Sequence, residues 1–423
     1  MVLTQGSQSL TLGLTLIAAP RLGKCSSRLI ERRLPAGQRA RARVEVLFSI
    51  WKELLTNMLR AGFVGLPNVG KTTLFNAVTA QSSALIANYA FSTSKPNVGV
   101  VAVPDERLAP LAKIVKTEVI VPASVEFVDI AGLVRGSSQG EGMGNQFLHA
   151  IRETDTIVHV VRCFESDTVV HVDGEINPRR DIETIQIELA LADLSTVERR
   201  RERVQKTAKG GDKAARAELV VLDKLQPVLE EFKPARSVSL TEEDAAIARN
   251  YFLLTMKPTI YAANVNESDL NSPNENAHVK AARDFAAEEG SECVVICAQL
   301  EADLVDLSPS ESVEYLESIG VQSSGVDQLI KSAYRVLGLM SFLTAGEKEA
   351  RAWTIPQGSR AQDAAGAIHS DIARGFIRAE IVSYDDLIKA GTYAVAREQG
   401  LLRLEGKDYI MQEGDIVNFR FNV

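Results

Sequence analysis

The chain has 423 residues, 45% hydrophobic and 24% charged, which suits two or three ordinary globular domains. Its net charge of −8 is unevenly spread: residues 1–57 carry nine Lys or Arg against three acids, a net of +6, and the remainder a net of −14. No apolar run reaches the roughly 18 residues of a membrane span, and Cys25, Cys163, Cys293 and Cys297 stand too far apart for a disulfide framework or a paired zinc motif, which points to a reducing compartment.

Residues 1–57 read as a leader outside the fold. The apolar run Leu10 to Ala19 has no basic charge before it, which argues against secretion. A basic, acid-poor leader fits a transit peptide to a chloroplast or mitochondrion. The plainer reading is an over-long start, because Met58 stands just before the first strand, and it leaves the protein cytoplasmic.

From Leu59 the pattern alternates. Ala61–Gly65 reads as a buried strand and Thr72–Thr79 as a helix. Val125–Ile130, Thr156–Cys163, Thr259–Ala263 and Cys293–Cys297 read as further strands, and strands interleaved with helices predict an α/β fold with a parallel, doubly wound sheet. Residues 181–250 interrupt it. Ile182, Ile185 and Leu189, then Leu222, Leu225 and Leu229, recur at helical spacing on either side of Lys209-Gly210-Gly211-Asp212-Lys213, which predicts a helical hairpin. Its middle, 199–216, holds eight Lys or Arg against two acids. Such runs are usually solvated helix faces, but in an acidic chain this one also suits RNA.

Beyond residue 338 the texture changes. Arg351–Ile355 reads as a strand, Asp363–Phe376 as one helix and Ala379–Ser383 as a strand, and short strands follow around turns at Glu405-Gly406 and Glu413-Gly414-Asp415. The expected organisation is a nucleotide-binding domain over 58–337, the 181–250 insertion within it, and a small mixed domain over 338–423.

The sharpest motif is Gly65-Leu66-Pro67-Asn68-Val69-Gly70-Lys71-Thr72, a full G-x-x-x-x-G-K-[ST] placed between a strand and a helix. Glycines let backbone N–H groups turn toward phosphates, and the helix N-terminus adds positive potential. Asn68, Val69, Gly70, Lys71, Thr72 and Thr73 are therefore expected around a nucleotide phosphate. Lys71 would reach the β- and γ-phosphates, and the Thr72 hydroxyl would ligate Mg²⁺. Asp129, at a strand end, would hold the Mg²⁺ shell through water. The Gly132 N–H would meet the γ-phosphate. Thr93, between these motifs, is a candidate second hydroxyl ligand for Mg²⁺, although alone it would be an ordinary loop threonine.

Taken together, GLPNVGKTTLFNAVT, PNVGVVAVPDERL, EFVDIAGLVRGSSQGEGMGNQFL, KPTIYAANVNE, FLTAGEKEARAWTI and EGKDYIMQEGDIVNFRFNV resemble the YchF/Obg-like ATPase family of P-loop proteins over residues 58–423. The resemblance implies a Ras-like domain with a helical insertion and a C-terminal TGS domain, a β-grasp module. It also implies an ATP-hydrolysing switch that associates with the ribosome, on rRNA or a subunit surface, through the basic hairpin and the TGS domain. No membrane or DNA partner is expected.

Two positions bear on chemistry. Leu133 stands where switch GTPases place a water-orienting Gln, so intrinsic hydrolysis should be slow or water must be held elsewhere. His171 is a candidate for that work, against the bland reading of a packing histidine. Asn68 resembles the Asn of potassium-dependent P-loop proteins, and a K⁺ there would add charge beside the phosphates; the alternative is that its amide steadies the loop. At the base side, Asn264-Val265-Asn266-Glu267 replaces the guanine-reading Asn-Lys-x-Asp. Adenine lacks the 2-amino group and its N1 is an acceptor, so a carboxylate facing that edge is unfavourable. The resemblance implies ATP, with Asn264, Val265, Ala298 and Gln299 near the base. Two alternatives stay open: a GTPase using Glu267 as the guanine acceptor, and an RNA or ribosome adaptor with negligible turnover. Ser92 stands where the family often has Cys, so redox sensing there does not carry over.

Overall fold

The computed structural model describes residues 59–86, 97–130 and 143–422. The leader, Ser92, Thr93, Gly132 and Leu133 lie outside them. Among the described residues, no helix is long and apolar enough to cross a membrane.

The first sheet runs β2 (Val98–Ala102), β4 (Ser124–Asp129), β1 (Arg60–Val64), β5 (Thr156–Arg162), β6 (Thr259–Asn264), β7 (Glu292–Ile296). The five strands from β4 to β7 pair in parallel, as the alternating pattern predicts. The edge departs from that prediction: β2 is antiparallel to β4, and the chain between them carries a helix and a short strand that leave this sheet before β4 enters it. Every residue of β5 is buried, as a near-continuous apolar run in a sheet covered on both faces must be. Phe63 and Phe127 stack at 5.3 Å between centroids on neighbouring strands. His159 is buried in β5 against Tyr261, and burial lowers its pKa to about 3, so it is neutral.

Helices cover the sheet: α1 (Lys71–Ile86), α2 (Leu108–Val115), α3 (Met143–Arg152), then the hairpin of α4 (Pro178–Lys209) and α5 (Lys213–Glu230). Asn177 caps α4 by accepting from the Arg180 N–H, with Pro178 at the first helical position. Gly211, at φ +93°, makes the reversal, and Asp212 caps α5. Val197, Val204, Leu222, Leu225 and Leu229 form the hairpin's own core with Ala248 and Tyr251. At its base the buried Asp193 carboxylate accepts from the N–H groups of Leu254 and Thr255 at 2.8 and 2.7 Å, which moors the hairpin to the sheet domain.

After α6 (Glu242–Arg249), α7 (Ala277–Glu288), α8 (Ala298–Leu304), α9 (Pro309–Ser318) and α10 (Gly325–Val336), a second sheet begins. Strands β8 (Leu339–Ala345) and β9 (Ala350–Pro356) form a hairpin. After α11 (Ala361–Ile368) and α12 (Ser370–Arg374) come β10 (Phe376–Ser383), α13 (Tyr384–Ala390), α14 (Tyr393–Glu398), β11 (Arg403–Glu405) and β12 (Asp415–Phe421). The last strand pairs in parallel with the first of this group, β8, and antiparallel with β10. Helix α11 presents Ala361, Ala364 and Ala365 to Phe342, Ile355, Ala379 and Ile381, small residues that let it lie close on the strands. The single helix expected over 363–376 is two. His369 is extended at φ −166°, and its Nδ1 accepts from the Asp371 N–H to start α12.

This second sheet contains a strand from far upstream. Ile120 and Val121 form β3, which pairs in parallel with β9. Nearby, Arg107 binds Asp105 at 2.7 Å and Glu413 at 2.6 Å, and Glu413 in turn accepts from the Ser341 N–H at 2.8 Å.

Candidate active site

The loop between β1 and α1 holds three residues at positive φ, Gly65 at +158°, Asn68 at +62° and Gly70 at +95°. Gly70 is required twice over, since a Cβ there would also collide with the Asn264 amide nitrogen. Its carbonyl accepts from the Leu74 N–H at 3.0 Å, which opens α1 directly under the loop. Val69 is buried, whereas Asn68, Thr72 and Thr73 are exposed.

Lys71 is buried and donates to the Leu66 carbonyl at 2.6 Å, so the loop curls around its ammonium group. Burial lowers its pKa to about 8, with Asp129 pulling the other way. The Thr72 hydroxyl donates to Asp129 Oδ2 at 3.1 Å. The other oxygen, Asp129 Oδ1, is buried without a hydrogen-bond partner. An unpartnered carboxylate oxygen beside a hydroxyl is what a hard cation or its bound water requires, so these residues fit Mg²⁺.

On the far side of the loop, Asn264 is buried at the end of β6. Its Nδ2 donates to the Val69 carbonyl, and its Oδ1 accepts from the Ala298 N–H, each at 2.9 Å. This side chain, which sequence reasoning expects near the base, ties the phosphate loop to the first residue of α8. Val265 is buried, and its N–H bonds to the Ile296 carbonyl. Gln299 is exposed, with its amide donating to Asp303 at 3.0 Å.

Asn68 Nδ2 donates to the Val170 carbonyl at 3.2 Å. The next residue, His171, is buried. Its Nε2 lies 2.9 Å from Asp181 Oδ2 in the first turn of α4, and its Nδ1 accepts from the Asp173 N–H. Both ring nitrogens are thus engaged within the protein. Sequence reasoning missed Arg162. Its buried guanidinium donates to the carbonyls of Phe164 and Val169 at 3.1 and 2.9 Å and lies over the Phe164 ring, which sets the path of residues 164–170. A charged residue ending an otherwise apolar strand was its one signal.

At the hairpin tip, Arg200 and Arg201 are paired with Glu218 and Asp223. Arg203, Lys206, Lys209, Lys213 and Arg216 are exposed around the reversal.

Residues 60–197 match the family model described as 50S ribosome-binding GTPase, and residues 339–422 match the YchF-GTPase C-terminal model. The protein of Bacillus subtilis called ribosome-binding ATPase YchF is 52% identical over 365 residues, 86% of this chain and all of the relative. The chain belongs to the YchF family. The relative of that name from Escherichia coli O157:H7 is 51% identical over 86% of this chain and 99% of its own length. The crystal structure of the Schizosaccharomyces pombe YchF GTPase superposes with a TM-score of 0.78 at 35% identity, over 86% of this chain and 98% of that one. The P-loop domain with its helical hairpin and the C-terminal mixed sheet are accordingly the YchF architecture.

Proposed function

We propose that this chain binds and slowly hydrolyses ATP as a switch that associates with the ribosome. The observation that carries the reading is the pair Thr72 and Asp129, with its unpartnered buried oxygen, set beside a buried lysine in a full phosphate loop. Relatives named ribosome-binding ATPase support the activity and the partner.

In this reading the Lys71 ammonium leaves the Leu66 carbonyl for the β- and γ-phosphate oxygens, exchanging a neutral acceptor for an anion. Thr72 and, through water, Asp129 would hold Mg²⁺, with Thr93 as a further ligand and the Gly132 N–H on the γ-phosphate. A bound Mg²⁺ neutralises charge developing on the phosphates. Asn68 is the candidate K⁺ contact. With Leu133 unable to orient water, His171 takes that part only by releasing Asp181. The base falls between residues 264–265 and 298–299, where the lost Lys and Asp of the guanine motif favour adenine. The exposed cations of 199–216 and the C-terminal TGS-type domain, 338–423, supply the ribosome contacts. Residues 1–57 stand outside this machinery. The cytoplasm suits a ribosome partner, and organellar ribosomes would serve equally if the leader is a transit peptide.

The deciding test is displacement of a fluorescent ATP analogue from the full chain by ATP or GTP, with Mg²⁺ and K⁺ present, paired with phosphate release with and without ribosomes. The reading expects ATP to bind roughly tenfold more tightly than GTP, about 1.4 kcal/mol. It also expects turnover that depends on Lys71. Preference for GTP would return the protein to the GTPases, and absence of turnover with ribosomes present would leave an adaptor.

A further inference from the structure

Glu267 stands three residues after β6, where a guanine-reading protein carries its Asp. Its Oε1 accepts a hydrogen bond from the Tyr315 hydroxyl at 2.7 Å. Tyr315 lies on α9, whose start is held by a reciprocal Ser308–Glu311 capping box with Pro309 at the first helical position. Leu316 anchors the same turn in the core. The hydroxyl is therefore placed by the fold and needs no nucleotide to position it. Burial raises the pKa of the Cys297 thiol, and the Glu267 charge raises it further. Glu267 thus lies electrostatically close to the 297–299 loop as well as on the 264–267 loop, the two segments expected to flank a base.

Guanine offers two adjacent donors, N1–H and the 2-amino group, and needs both oxygens of one carboxylate turned toward it. Adenine offers an acceptor at N1 and a donor only at its 6-amino group. We propose that Tyr315 is a specificity-determining positioning residue: by donating to Glu267 it turns the carboxylate toward α9 and denies guanine its paired acceptor. The proposal rests on the ATP reading and supplies a cause for it. Losing the lysine of the guanine motif weakens guanine binding, but a free carboxylate one methylene longer than Asp can still reach a purine edge. The tyrosine removes that option. Neighbouring Asn266 helps to keep the loop in place, its amide donating to the Glu165 carbonyl at 3.2 Å.

The test uses displacement of a fluorescent ATP analogue from the full chain by ATP and GTP, for wild type, Tyr315→Phe and the double variant Tyr315→Phe/Glu267→Gln. Phenylalanine keeps the ring and removes only the donor, so thermal melting should match wild type. In Tyr315→Phe the GTP Kd is expected to fall by about threefold or more while the ATP Kd stays within about twofold, a change of one hydrogen bond's size. The double variant should lose that gain, because a glutamine cannot offer two acceptors. If wild type prefers ATP but Tyr315→Phe leaves the GTP Kd unchanged, or if the gain survives in the double variant, the role of Tyr315 is overturned and the ATP reading stands. If wild type prefers GTP, both fall together.

Discussion

The side-chain amide of Asn264 donates to the carbonyl oxygen of Val69 at 2.9 Å and so fastens the last residue of a central strand to the back of the phosphate loop. Its other end holds the Ala298 N–H. Asn264→Ala strands both backbone groups, at roughly 1–3 kcal/mol each. Asn264→Asp is expected to be worse, because it sets a carboxylate oxygen against the Val69 carbonyl. Melting temperature and nucleotide affinity should therefore both fall in the order wild type, Ala, Asp. An Asp variant that binds as well as wild type would show that the bridge does not shape the loop.

Lys71 predicts a pH dependence. Without nucleotide its pKa is lowered to about 8 by burial. Phosphate oxygens around the ammonium would raise it, so above pH 8 the complex holds more protons than the free protein. Affinity then falls as pH rises, by up to about tenfold per unit between pH 8 and the pKa of the complex. For folding the sign is opposite. The unfolded chain keeps the ordinary value of 10.5, so Lys71 costs the nucleotide-free fold below pH 8 and that cost fades as pH climbs toward 10.5. Lys71→Met should abolish turnover and the pH slope, yet melt without nucleotide no lower than wild type.

Asp129 and Thr72 predict the metal response. Asp129→Asn removes the charge behind the Mg²⁺ shell, and half-saturation by Mg²⁺ in ATP binding should rise roughly tenfold or more. Binding without Mg²⁺ should hold or improve, since an anion beside the phosphates is gone. Equal losses with and without metal would mean that Asp129 only supports the loop.

The contact of Arg107 with Glu413 ties residues ahead of α2 to the turn before β12. Glu413 is 54% exposed at its side chain, so solvent screens the pair. A double-mutant cycle with Arg107→Ala and Glu413→Ala should give a coupling of about 0.5–1 kcal/mol that shrinks in high salt.

The hairpin tip separates partner binding from nucleotide binding. Replacing Lys206, Lys209, Lys213 and Arg216 with Glu should weaken ribosome co-sedimentation and flatten its salt dependence. ATP affinity should not change, because none of these side chains is near the phosphate loop. Unchanged co-sedimentation would move the contact elsewhere on the molecule.

Features written in contiguous residues were the legible ones. Gly65 to Thr72 announced the phosphate loop, because cradling a phosphate takes one short run of backbone N–H groups. The 3.6-residue period of Leu222, Leu225 and Leu229 announced the hairpin. The helix break at His369 escaped, because its cause is one side chain capping its own neighbour against an otherwise helical pattern. The antiparallel edge strand β2 and the pairing of Ile120 with Ala350 escaped for another reason: strand partners distant in sequence leave no local trace. The second task of Asn264 was hidden in the same way. The motif marked its importance, but only the fold places Val69 and Ala298 at its two ends.

The pairing of β3 with β9 also sets a schedule. Ile120 and Ala350 are 230 positions apart, and the intervening chain includes the whole hairpin and four of the six strands of the first sheet. At roughly 5–20 residues per second of synthesis, Ile120 waits on the order of 10–50 s for its partner. During that interval Val119 and Ile120, still 43% and 37% exposed in the finished protein, present a bare strand edge to whatever surrounds the nascent chain. The nucleotide-binding half can fold early, but that edge stays open until the C-terminal sheet arrives. A chain truncated before residue 350 would keep it permanently, and stalled or clipped synthesis should therefore yield an aggregation-prone fragment in place of a working half.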